Sequence, residues 1–175
     1  MDRTLVELER ASMVGRISGA LSGWSLTPAG RTHGERLLAD ELESLGVRPR
    51  VVAVYGTFQV VNPDLLSICT AWQIRSGVEP PELNDHTDPA YDAAVLGRLG
   101  ALHSRACEML AELEELLPRF AAYKPRLDTA LDRAGRGGVD WVTKPMIDSY
   151  HTVWFELHED FLATLGRQRN DEVGC

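Results

Sequence analysis

Apolar residues recur every three or four positions through most of this chain and alternate in twos only once, between residues 14 and 26. Residues 5–14 carry Leu5, Leu8, Met13 and Val14, which predict a short amphipathic helix ending in a turn at Ser12. Around Trp24 and Leu26, polar Ser25 interrupts the apolar positions, the period of a half-buried strand. Strands over 14–18 and 22–26 follow, joined at a hairpin tip of Gly19, Ala20 and Leu21, and this is the only β candidate in the chain. Two strands are marginal alone in water, so Trp24 is expected to pack on the Leu37/Leu38 face of the next helix or on the helices beyond.

Helix boundaries are written in prolines. Thr27-Pro28 supplies a capping hydroxyl and a first helical residue that needs no donor, and Gly46 a stop, which predicts a helix from Pro28 to Leu45. Residues 48–61 read as a helix, and Asn62-Pro63 either starts another, to Arg75, or kinks the same one. Residues 76–87 are irregular. Asp88-Pro89 opens the longest helix, to about Leu117. Lys124-Pro125 begins a short one to Ala134, glycines 135, 137 and 138 make a flexible linker, and Thr143-Lys144-Pro145 caps a last helix that ends at Gly166, after which the tail frays. The predicted fold is mostly α: one helix and a β-hairpin, followed by an antiparallel helical bundle.

The succession of helix, hairpin and Leu26-Thr27-Pro28-Ala29-Gly30-Arg31 running into a long helix resembles the second half of a bacterial winged helix-turn-helix regulator of the MarR or PadR type. The resemblance covers about the first forty residues. It implies that the first helix is a recognition helix, the hairpin a wing, and the Pro28 helix a linker to an effector or dimerisation part, dividing the chain at 1–46 and 47–175. Two features depart from the pattern: Ser12 stands where the turn is usually Gly, and Met1 lies at the start of the recognition helix, so the two helices that precede it in the family are not in the sequence. On this resemblance Arg3, Arg10, Arg16, Ser18 and Ser22 are the candidate DNA-contacting residues. The absent helices predict weak DNA binding by this chain, and an uncovered stripe of Leu5, Val6, Leu8 and Met13 that a second subunit covers in a homodimer.

Charge refines this picture. The 175 residues carry a formal net charge of −8, yet the segment to Arg36 holds five arginines against four acids. A weakly basic head on an acidic body suits a DNA-reading module joined to a sensing one. No window approaches eighteen consecutive apolar residues and no apolar leader follows Met1, so a cytoplasmic protein without membrane association is expected. Cys69, Cys107 and Cys175 are scattered and suit free thiols, the first two as core residues.

Candidate chemistry lies in the body. His151, Trp154 and His158 share one face of the last helix, Asp85 and His86 precede a helix start, His103 lies within the longest helix, and Trp72 ends the one before it. Brought together, they make an indole- and imidazole-lined pocket for a small effector; apart, they are satisfied core residues. His151 and His158 are seven apart and not four, so no metal or other cofactor is expected. There is no G-x-S-x-G, no phosphate-binding glycine loop and no H-E-x-x-H, and no catalytic residue is assigned. The function expected is that of a DNA-binding transcriptional regulator whose ligand, or dimer interface, shifts the population of its DNA-competent state. The alternative is a helical small-molecule-binding protein or enzyme that does not bind DNA.

Overall fold

The computed structural model describes residues 3–19, 22–75 and 80–167. These are mostly helical: seven α-helices and a small antiparallel hairpin, with a second pair of two-residue strands. The chain divides into two compact units, one of residues 1–48 with 162–175 and one of residues 49–161.

In the first unit, α1 (Arg3–Arg10) leads through a turn to β1 (Val14–Ile17), β2 (Gly23–Leu26) and α2 (Pro28–Leu45). The strands pair from Val14↔Leu26 to Ile17↔Gly23. Ser12 takes the left-handed conformation the turn requires, at φ 58°. One side chain then ties the pieces together. The Thr27 hydroxyl donates to the Ser12 carbonyl at 2.6 Å and accepts from the Gly30 amide at 3.0 Å, while the Thr27 amide donates to the Met13 carbonyl. Gly30 lies so close beneath Met13 that a Cβ there would sit 1.8 Å from the Met13 carbonyl oxygen. α2 ends as the sequence predicts, with Gly46 left-handed at φ 63°.

Trp24 does not become a core residue. It is half-buried, and the Arg16 guanidinium lies over its ring at 4.7 Å, so the tryptophan is covered from within the hairpin. The expected stripe on α1 is also less bare than the sequence suggests: Leu5, Val6, Leu8 and Met13 are half-buried, although no residue of α1 is fully buried.

The second unit holds α3 (Arg48–Gln73) from Pro49 on, α4 (Pro89–Leu116), α5 (Tyr123–Gly135), α6 (Asp140–Thr143) and α7 (Tyr150–Leu165) as far as Phe161. Polar contacts fix an antiparallel register. Arg50–Glu112, Asp64–Arg105 and Ser67–Arg98 join α3 to α4, while Tyr55–His158 and Asn62–Trp154 join α3 to α7. Arg126 bridges Asp148 and Glu156, and Tyr123 reaches Asp160, joining α5 to α7. The buried stripe of α3 (Val51, Val54, Tyr55, Phe58, Val61, Leu65, Ile68) meets an aromatic layer in which Phe58 stacks on Trp154 at 4.9 Å and lies 5.3 Å from Phe161. By length and composition α3 could cross a membrane; ten of its residues are buried in the fold.

Several boundaries differ from expectation. Of the two readings of Asn62-Pro63, the single helix is the one found: α3 runs through it, with Pro63 on the exposed face and the Asn62 carboxamide oxygen accepting from the Trp154 indole. A second strand pair joins β3 (Ile74–Arg75), where the helix was expected to end, to β4 (Glu82–Leu83) in the stretch expected to be irregular; two residues per strand are too few to show a period. A 3-10 turn (Pro118–Ala122) precedes α5, which starts at Tyr123 and not at Lys124. The glycine linker is a closed turn: the Gly138 amide donates to the Arg133 carbonyl at 3.0 Å, Gly137 has φ 91°, and a Cβ on Gly138 would strike that carbonyl. α7 does not begin at Thr143. Met146, at φ 67°, ends the approach, and buried Ser149 caps the helix through the Thr152 amide. Residues 20–21, 76–79 and 168–175, which include most of the expected hairpin tip and the tail, lie outside the described residues.

Candidate functional site

On the first unit, Arg16, Ser18 and Ser22 line one shallow groove of about 410 Å³ along the hairpin, with Gly19 and Trp24. Arg3 and Arg10 stand on α1, both exposed. The positive charge there is partly cancelled at its source, because Arg3 pairs with Glu7 and Arg16 with Glu9, each at 3.3 Å.

In the second unit the seven candidate ligand residues are divided among three places. Trp154 and His158 are inside the aromatic layer: the Trp154 Nε1 donates to Asn62 Oδ1 at 3.0 Å, and His158 Nε2 lies 3.4 Å from the Tyr55 hydroxyl. Beside them on α7, His151 is half-buried, and burial holds its imidazole below the ordinary histidine value. None of the three lines the cleft beside Trp72.

His103 occupies the second place. Its Nδ1 is 3.2 Å from the Tyr150 hydroxyl and its Nε2 3.0 Å from Asp128 Oδ1 and 3.3 Å from the Cys107 sulfur. Burial pushes the Tyr150 hydroxyl and the Cys107 thiol upward. Cys107 is thus a half-buried partner of His103 and not the plain core residue expected; Cys69 is the core thiol, pushed up to about 12 by burial.

The third place is a cleft of about 520 Å³ lined by Trp72, Ile74, Leu83, His86, Val139 and Lys144 among others. Its floor is a polar knot. Buried Asn84 donates through Nδ2 to the Trp72 carbonyl at 3.1 Å and to Asp92 Oδ1 at 2.8 Å. His86, held at φ 60°, places Nδ1 2.9 Å from Asp92 Oδ2 and its ring 4.6 Å from the Trp72 indole. Asp92 accepts, so Nδ1 carries the proton and the Nε2 of a neutral ring is left as an acceptor. Trp72 supports this site without forming the aromatic wall expected of it: it is 3 % exposed, and its Nε1 donates to the Val139 carbonyl. Asp85 takes no part; it bonds Thr87 through its side chain, which holds its carboxyl below the usual range. The apolar rim is exposed, Leu83 at 80 % and Val139 at 41 %.

Sequence reasoning passed over Asp92 and Asp128 and took Cys107 for a core residue. Cys107 had a signal: it lies four residues after His103 on one helix, the spacing that puts two donors on adjacent turns. Asp128 had none toward His103, which comes from another helix, and Asp92 meets His86 six residues back, across the start of α4. Comparison with protein-family models, curated proteins and solved structures finds no match to this chain.

Proposed function

We propose that this chain is a cytoplasmic DNA-binding transcriptional regulator, with a winged-helix head in its first unit and a small-molecule sensor in its second. The observation that supports the reading is the Thr27–Gly30 lock, which joins α1, the hairpin and α2 through backbone contacts and presents Arg16, Ser18 and Ser22 on one groove. A rigid helix-plus-hairpin edge bearing arginine is the geometry a wing requires. The effector enters at the Trp72–His86 cleft, whose volume lies in the range of ligand sites and whose lining sets apolar Ile74, Leu83 and Val139 beside the His86 acceptor and the polar Asp140, Thr143 and Lys144. Its ligand is a small, partly apolar molecule that carries a hydrogen-bond donor for His86. Binding shifts the population of the DNA-competent dimer, with the half-buried stripe of α1 in or near the dimer contact.

With Arg3 and Arg16 paired to glutamates, DNA binding is weak and electrostatic. The expected result is a binding constant that falls with salt at a logarithmic slope of about −2 to −3, corresponding to two or three phosphate contacts. Arg16→Ala lowers both affinity and slope. Absence of binding at low salt by a folded dimer overturns the regulator reading. A thermal-shift screen of small apolar hydrogen-bond donors then tests the alternative, a helical binding protein or enzyme without DNA affinity, which the His86–Asp92 pair in the cleft favours.

A further inference from the structure

We propose that His103, Cys107 and Asp128 form a three-donor zinc site between α4 and α5, separate from the cleft. The three ligand atoms lie within 4.8 Å of one another. His103 Nε2 is 3.3 Å from the Cys107 sulfur and 3.0 Å from Asp128 Oδ1. Around tetrahedral zinc, with bonds of about 2.0 Å to nitrogen and oxygen and about 2.3 Å to sulfur, the corresponding separations are roughly 3.5 Å and 3.3 Å. These two separations are shorter than the tetrahedral values by only a few tenths of an ångström, and the third, from the Cys107 sulfur to the Asp128 carboxylate, is no more than 4.8 Å, differences that side-chain rotation supplies.

The surroundings of the donors strengthen the assignment. Lys124 holds Asp128 Oδ2 at 2.8 Å and leaves Oδ1 directed at His103. On the other side of the imidazole, the Tyr150 hydroxyl meets Nδ1 and fixes the ring plane. Metal-bound histidines characteristically carry such a partner on the second nitrogen, and metal-bound carboxylates are themselves hydrogen-bonded. All three donors are half-buried, with Asp128 exposed enough (42 % of its side chain) to leave an entry path. A mixed nitrogen, sulfur and oxygen set selects zinc over magnesium or calcium, and three protein donors leave the fourth position to water or a ligand.

The proton balance is definite. Without metal, Asp128 can only accept, so His103 carries its proton on Nε2 and Nδ1 accepts from the Tyr150 hydroxyl. On binding, that proton passes through solvent to Nδ1, where the tyrosine oxygen accepts it. The Cys107 thiol loses its proton to solvent as the sulfur–zinc bond forms. One proton is released per metal, and no oxidation state changes.

Cobalt(II) titration of the full chain tests this. The expected result is one cobalt per chain, with a thiolate-to-cobalt charge-transfer band, tetrahedral visible bands, displacement by zinc, and one proton released. The signal disappears in Cys107→Ser and His103→Gln and persists in Cys175→Ser. Asp128→Asn, at a half-exposed position where folding is retained, weakens binding by at least about tenfold while the charge-transfer band remains at saturation. A folded wild-type chain that takes up no cobalt overturns the proposal, as does a thiolate signal that survives Cys107→Ser or leaves with Cys175→Ser.

Discussion

The hairpin head and the helical unit are held together by different means. Among described residues up to Arg48, only Val14, Gly30 and Leu42 are buried; the hairpin keeps its place because one threonine satisfies two backbone groups and one glycine permits a close approach. The helical unit holds through area. Tyr55, Phe58, Phe120, Tyr150, Trp154 and Phe161 are all essentially inaccessible and touch in sequence through the interior. A structure fixed by a few directional contacts is sensitive at points and indifferent elsewhere, whereas one fixed by packing loses stability wherever volume is removed.

Trp154→Ala should have the largest effect, because it empties the centre of the aromatic layer and strips the Asn62 carboxamide of its donor. We expect a loss of about 3–5 kcal/mol in chemical denaturation; a loss below about 1 kcal/mol would remove the packing side of the comparison. Gly30→Ala comes next. The added carbon would lie 1.8 Å from the Met13 oxygen, and backbone cannot rotate away as a side chain can. The expected cost is about 1–3 kcal/mol. It should show locally, as faster amide exchange over residues 14–26 with α3 and α4 unchanged; an equal loss of protection in both units would end the distinction.

Trp24→Ala separates the two regions most directly, since the same substitution at Trp154 is expected to be several times more costly. Half-buried and covered by Arg16, Trp24 should contribute only about 0.5–1 kcal/mol through its cation–π contact. Its small effect on thermal melting, compared with the about 3–5 kcal/mol its sequence context suggests, is the check. The smallest effect belongs to acid. Burial depresses His151 below its ordinary 6.5, so the unfolded chain takes up that proton first as the pH falls. Its contribution is present above pH 6.5 and is lost as the pH falls through the lower folded value. His151→Gln should flatten the stability curve in that window and leave hairpin exchange untouched. A carboxylate contribution follows at lower pH, because Arg126 holds Asp148 below its usual range.

The amino-acid sequence by itself determined the helical class, the hairpin and its adjoining helix. Those depend on near neighbours: Thr27 caps three residues ahead, Gly46 ends the turn before it, and the three-to-four period of α3 repeats along one face. The Leu-Thr-Pro-Ala-Gly-Arg run placed Gly30 at the start of a helix, and only the fold shows that the glycine lies against the Met13 carbonyl. Only the tertiary structure decided which polar residues meet. His103 finds Asp128 and Tyr150 from two other helices, and Trp154 and His158 are absorbed by α3. The same imidazole reads alike on a helix face whether it meets a carboxylate or a core aromatic. Its partner is set by the packing of distant segments, a long-range arrangement that no local pattern carries.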